Sequence, residues 1–177
     1  MNSVGLARGT VRLESYNSSW HTVYELESYS IQQIIDLKPH DIQHVGSTSI
    51  PGMVAKPIID IAIRVDSLDI AENWKAKLES IGYWYKGIQA NMPDRRFFAK
   101  GPEDNRTVYL HLVNDEEFNR LIQFRDYLIK NKQAALEYAQ LKQELAESNA
   151  YDRPNYSKLK NDFIQKIINA GGYDELK

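Results

Sequence analysis

Residues 44–65, HVGSTSIPGMVAKPIIDIAIRV, place donors, a cation and a carboxylate close together in the chain. The polar turn Gly46-Ser47-Thr48-Ser49 offers backbone N–H groups and hydroxyls, and its glycine lets the main chain come near an anion. Lys56 adds a positive charge, and Asp60 is a carboxylate of the kind that holds the magnesium accompanying a nucleotide. Together they suit a polyphosphate. An ordinary strand–turn–strand of an α/β core, with Lys56 solvated and Asp60 at a strand edge, satisfies the same spacing. What favours the chemical reading is Asp60, which interrupts a run of isoleucines where an unpaired charge is costly to bury.

Further groups join this set. His44, two residues before Gly46, either faces a bound phosphate or metal, or bonds a nearby backbone group and shapes the turn. Between Lys86 and Lys100 lie four basic residues, Lys86, Arg95, Arg96 and Lys100, against the one acid Asp94. In a chain with net charge −2, that local excess suits phosphate, or else protects a solvated sheet edge. His111 carries an imidazole, which titrates near neutrality and serves as general base or nitrogen ligand when it is not simply structural.

The elements that must position these groups follow from periodicity. Thr10–Tyr16 alternates as a short first strand, and Asn17-Ser18-Ser19 offers caps for a helix from Trp20 to Leu37. Asp41–Val45 and Pro57–Val65 read as strands; in the second, Ile59, Ile61, Ile63 and Val65 share one face and Asp60, Ala62 and Arg64 the other. Asp69 with Glu72 reads as a capping box for a helix to Ser80 that Gly82 closes. Tyr83–Tyr85 is a strand leading into a loop, Lys86–Asp94; Arg95–Lys100 and Thr107–Val113 are strands joined by a turn at Gly101–Arg106. Three helices follow. The first runs from a cap at Asn114 to Lys130, the second over Gln133–Glu147 with Leu136, Tyr138, Leu141 and Leu145 inward. After a polar loop or lid at Ser148–Asn155, the third spans Tyr156–Ala170, with Leu159, Phe163, Ile164, Ile167 and Ile168 inward and Gly171-Gly172 ending it. The expected fold class is α+β: a mixed β-sheet with helices on one face and a C-terminal helical segment. Residues 1–113 form the core and 114–177 the helical segment of a single compact unit.

HVGSTSIPGMVAKPIIDI resembles the signature of the GrpB family, as do Phe124-Arg125-Asp126-Tyr127-Leu128, Tyr138-x-x-Leu141-Lys142 and Tyr156-x-Lys158 further on. The resemblance spans nearly the whole chain and is densest at 44–61 and 124–163. It implies a nucleotidyltransferase-like fold, in which a Gly-Ser turn precedes a strand of metal-binding carboxylates. On that basis Gly46, Ser47 and Ser49 would hold phosphates with Lys56, and Asp60 a magnesium ion. Arg96 and Lys100 would neutralise a leaving pyrophosphate. His111 or His44 would act as base or extra ligand, with Arg125, Lys142 and Lys158 at the border. Two residues depart from the pattern. Tyr109 stands where the family commonly has the first histidine of H-L-H-V, and Ala62 stands where nucleotidyltransferases carry a second acid. A two-metal mechanism thereby lacks one expected ligand.

The implied activity is magnesium-dependent transfer of a nucleotidyl group from a nucleoside triphosphate to an acceptor. The alternative is a non-catalytic binding module for a nucleotide, a phosphorylated small molecule or a coenzyme A precursor. The latter ligand follows from GrpB-like domains fused to dephospho-CoA kinase in some members. At 177 residues with 42% hydrophobic and 26% charged residues, the chain suits one globular domain. A pI near 6.1 argues against coating nucleic acid non-specifically. The absence of cysteine excludes disulfides, thiolate metal sites and cysteine nucleophiles. No apolar run approaches membrane-spanning length and no signal peptide is evident, so a soluble cytoplasmic protein is the expectation.

Overall fold

The computed structural model describes residues 4–89 and 92–169. A five-stranded sheet forms its centre, in the order β2 (Ile42–Val45), β3 (Ile59–Arg64), β7 (Val108–Val113), β5 (Met92–Lys100) and β4 (Tyr83–Gln89). The β3–β7 pair is parallel and the other three are antiparallel, so the sheet is mixed as expected. The α+β architecture stands.

Strand alternation sends isoleucines one way and polar groups the other. Ile59, Ile61 and Ile63 join Val108, Leu110, Leu112 and Phe98 on one face, beneath α1 (Ser19–Gln32) and α2 (Ile70–Ser80). Trp20 and Ile31 of α1 and Leu78 of α2 close that core, each with no exposed surface. Burial of each such side chain stabilises the fold by roughly 1.5–3 kcal/mol. The opposite face carries Val45, Ala62 and Val113, packed against Phe118 of α3 (Asp115–Lys130), together with Asp60 and His111. Two further helices, α4 (Lys132–Ser148) and α5 (Arg153–Asn169), bring Ala134, Tyr138 and Phe163 onto Ile50 and Met53 of the loop after β2.

Several local expectations change. Thr10–Tyr16 contributes only a bridge from Glu14 to Ala55; the first strand is instead the short β1 (Leu6–Ala7), paired with β6 (Asn105–Arg106). The loop at Lys86–Asp94 is mostly strand, because β4 runs to Gln89 and β5 starts at Met92. Asp69 makes no side-chain cap; its backbone N–H turns to the Ser67 hydroxyl at 3.3 Å. Asn114 does cap α3, accepting from the Glu117 N–H at 2.9 Å. The polar stretch after α4 shortens to four residues, 149–152. The end of the last helix at Gly171-Gly172, and the side chains of Ile167 and Ile168, lie outside the described residues.

Candidate functional site

Gly46 ends β2 with φ +71, a left-handed conformation that suits glycine alone among common residues. The chain then winds through a single 3-10 turn, Ser47–Ser49. That turn is held from within: the Ser49 hydroxyl donates to the Gly46 carbonyl at 2.6 Å, and the Thr48 hydroxyl donates to Ile58 at 3.3 Å. Val45 pairs with Asp60 across β2 and β3, so the glycine lies against the Asp60 carboxylate. A Cβ added at Gly46 would meet Oδ2 of Asp60 at 2.6 Å. The serine-lined turn and the aspartate therefore converge.

Asp60 sits one third exposed, with Oδ1 3.4 Å from Nε2 of His111. Burial works to raise its carboxyl, yet the hydrogen bond and positive field of His111, with Lys160 and Lys56 behind it, hold it below the ordinary carboxylate value. His111 lies beside Ala62 on the parallel neighbour β7, and its ring rests 5.2 Å from that of Phe97. Its Nδ1 is buried and has no hydrogen-bond partner among the described residues.

Besides Lys56, the amines near Asp60 come from the C-terminal helices. Lys142 of α4 is almost wholly buried, lies 4.7 Å from the Tyr138 ring centre, and donates to the Val54 carbonyl. Burial lowers its amine to about 6, and the like charges of Lys160 and Lys56 push the same way. Lys56 lies 4.5 Å over the ring of Tyr156, whose phenol burial raises to about 12. Ser47 hydrogen-bonds the Tyr138 phenol, which burial also holds well above its usual value. A serine turn, the charged side chains of Lys56 and Lys160, the buried amine of Lys142 and one carboxylate thus gather between the sheet and the C-terminal helices. Such a concentration of positive charge is complementary to phosphate.

Lys160 was missed in the sequence, where Lys158 was set beside the site instead; Lys158 is exposed. The available signal was a repeat, Tyr138-x-x-x-Lys142 and Tyr156-x-x-x-Lys160, which puts each pair on one helix face. On α4 the buried positions are Ala134, Tyr138 and Lys142, while Leu136 is exposed.

Three expected members fall elsewhere. Arg96 pairs with Leu112 and Lys100 with Val108, so both point to the α1 face, away from Asp60. There Lys100 holds Glu27 of α1 at 2.9 Å, and Arg96 packs with 17% of its side chain exposed near Asp69. The parity of β5 puts Arg95 on the Asp60 face instead, where it bonds Glu117 of α3. His44 pairs with Ile61 and likewise faces α1, stacked 4.9 Å from Tyr24, with Nε2 at 3.0 Å from the Thr48 hydroxyl. Burial lowers it to about 4, so it is neutral and shapes the turn. Arg125 braces the same segment, donating to the His44 carbonyl at 2.8 Å and to Gln43 at 3.1 Å.

Magnesium prefers oxygen ligands in a near-ideal octahedron. Here the second position, on the same strand face as Asp60, is Ala62, fully buried in apolar packing. Among the described residues no group of three or more His, Asp or Glu is arranged to hold a metal. This set does not fit a two-magnesium centre. Two surface depressions lie apart from the cleft, of about 570 Å³ beside β1 and Tyr151 and of about 750 Å³ around Arg64. In the second, Arg64 is already paired with Asp41 and Asp115. No helix among the described residues is long and apolar enough to cross a membrane.

Comparison with known proteins supplies relatives for this arrangement. The sequence profile described as "GrpB protein" matches residues 10–170. The glutamate-rich protein GrpB of Alkalihalophilus pseudofirmus is 33% identical over 172 residues, covering 94% of this chain and 98% of that protein. The crystal structure of the conserved protein GrpB from Enterococcus faecalis superposes with a TM-score of 0.71 at 30% identity, covering 88% of this chain and 98% of that one. The poly(U) polymerase Cid1, solved with MgGTP bound, superposes at a TM-score of 0.50 and 12% identity, over 75% of this chain and 44% of Cid1. That last likeness is one of fold, and it makes the architecture nucleotidyltransferase-like.

Proposed function

The chain belongs to the GrpB family, and from that premise we propose that its cleft binds the phosphates of a nucleotide or other phosphorylated small molecule. What supports this reading is that Lys56 and Lys160 lie near enough to Asp60, beside the Gly46 turn, to hold its carboxyl down, and an anion there would answer their charge. Ser47 and the backbone of the turn would supply neutral donors, and the lysines the counter-charge. Thermal melting in millimolar tripolyphosphate or ATP tests it. The wild-type midpoint should rise by several degrees, as mass action requires of a ligand that binds only the folded chain. Lys56→Met and Lys160→Met should abolish the rise. An unchanged wild-type midpoint at ten millimolar of either compound would refute the site.

A second reading, nucleotidyl transfer, is favoured by the contact between Asp60 and His111 on the same cleft floor. An acceptor hydroxyl would lose its proton to this pair while its oxygen attacks the α-phosphorus. The bond to pyrophosphate breaks, and the lysines balance the departing charge. Incubation with α-labelled nucleotide and candidate acceptors, followed by assay of pyrophosphate, separates the two readings. Label transfer lost in His111→Asn supports the enzyme; tight binding without pyrophosphate release supports the binding module.

A further inference from the structure

We propose that the open face of the sheet beside Asp60 is a stacking platform for the heterocyclic base of a nucleotide, so that the site selects phosphorylated molecules carrying such a ring over those without one. The inference rests on the phosphate-binding reading above and names the class of molecule to which the phosphates belong.

Strand register carries the geometry. One row across the sheet runs Val45, Asp60, Tyr109, Ala99 and Trp84, from β2 to β4. The next row holds Ala62, His111, Phe97 and Gly87. Residues paired in register share a face. Tyr109, Phe97 and Trp84 therefore stand on the side of Asp60 and His111, opposite Phe98 and Tyr83 in the core beneath α1 and α2. Helix α3 covers this side at Val45, Ala62 and Val113. Toward β4 it opens: Trp84 is 60% exposed, Phe97 and Tyr109 are half-buried, and a Cβ built on Gly87 would meet nothing within 4 Å. The Phe97 ring lies 5.0 Å from that of Tyr109 and 5.2 Å from that of His111. The rings thus form a band leading from the Asp60–His111 contact toward the sheet edge.

The dimensions suit a nucleotide. Two strand spacings, roughly 10 Å, separate β3 from β5. A ribose bridges that span when phosphate sits at the Ser47 turn and the base lies on Phe97 and Tyr109. A flat band of rings stacks planar heterocycles, whereas an aliphatic chain needs a concave groove to bury its surface. A second copy of the chain is a poorer occupant. The register of β4 with β5 shifts between Tyr85 and Gly87 and again between Gly87 and Gln89, which bends the edge away from regular pairing. The exposed charge of Lys86, next to Trp84, would also lose its solvation in such a contact. Stacking of one base is worth about five- to a hundredfold in affinity.

Isothermal calorimetry at fixed ionic strength tests the platform, with inorganic tripolyphosphate, the four common ribonucleoside triphosphates and their nucleosides as probes. The expected result is binding of the best nucleotide at least about fivefold tighter than tripolyphosphate. Phe97→Leu should lose most of that margin while its tripolyphosphate affinity stays unchanged. Trp84→Ala, at an exposed position outside the core, should narrow the margin too, and it carries the test should Phe97→Leu fail to melt cooperatively. Tryptophan emission should be quenched by the nucleotide and not by tripolyphosphate, and the quenching should vanish in Trp84→Ala. Tripolyphosphate binding as tightly as every nucleotide, or a margin that survives both substitutions, overturns the platform and leaves the phosphate site standing. A dimer in sedimentation that depends on Trp84, without any nucleotide margin, assigns the face to a second copy and overturns the platform as well. Binding of nucleosides and nucleotides but not of tripolyphosphate keeps the platform and overturns the phosphate site. Binding of none of the probes overturns both.

Discussion

A lysine with 1% of its surface exposed is costly unless something answers its charge. For Lys142 the answer within the protein is a carbonyl and an aromatic ring, and its amine falls to about 6. The unfolded chain restores the ordinary lysine value. Between those two values the unfolded state binds the extra proton, so this residue makes stability rise with pH from about 6 upward. Below that range both states are protonated and the penalty is present in full. Lys142→Met should therefore stabilise the protein by roughly 2–4 kcal/mol at pH 7 and flatten its pH dependence. The same variant should weaken tripolyphosphate binding. Urea denaturation across pH 6–9 checks the first part; a variant less stable than wild type, with binding unchanged, would make Lys142 a purely structural residue.

Gly46 is the other residue where function and fold meet. With φ at +71 and Asp60 Oδ2 at 2.6 Å from a built Cβ, Gly46→Ala must displace the carboxylate or the turn. It should cost more than about 1 kcal/mol and lower anion affinity, measured by chemical denaturation and calorimetry on the same preparation. The grouping of Gly46, Ser47, Lys56, Asp60 and His111 was legible because each lies in or near a distinctive local pattern. That His44 turns to α1 was not, since a two-residue offset from the glycine leaves its face undetermined until β2 pairs with β3.

At the scale of elements, one strand register decides which arginines and lysines belong to the site. Strand β5 was recognisable by alternation, but its parity depends on pairing Arg96 with Leu112. That pairing turns Lys100 toward α1, where it shares Glu27 with the Tyr83 hydroxyl at 2.9 Å each. Lys100→Met should cost about 1–2 kcal/mol of stability, allowing for partial solvent screening of the pair, and leave ligand binding intact. A large loss of affinity without loss of stability would return Lys100 to the site. Helix α3 has the complementary duty. Arg125 reaches from it to the His44 carbonyl, and Glu117 gathers Arg95 and Arg120. Arg125→Ala should destabilise by about 1–3 kcal/mol and loosen the Gly46 turn, seen as faster amide exchange over residues 44–50.

For the molecule as a whole, the division of labour is between a sheet that carries the acid and imidazole and helices that bring cations to it. The mixed sheet, the long helices and the C-terminal helical segment were readable from periodicity, because strand and helix repeats differ and the cap at Asn114 is local. The helices' contribution to the site was readable only in part, since the resemblance sets Lys142 at its border but points to Lys158 and not Lys160. A buried lysine looks like a solvated one in sequence, and Lys160 gains its meaning only when α5 folds back over the loop after β2. The short pairing of β1 with β6 was equally hidden, since two residues carry no period. The measurement that tests this account most directly is a crystal structure of the protein soaked in tripolyphosphate with EDTA. Density for the anion between Lys56 and Lys160, with an oxygen on the Ser47 turn, is the predicted result. Anion density at other surfaces with that cleft empty, at a concentration that saturates binding in solution, would contradict it.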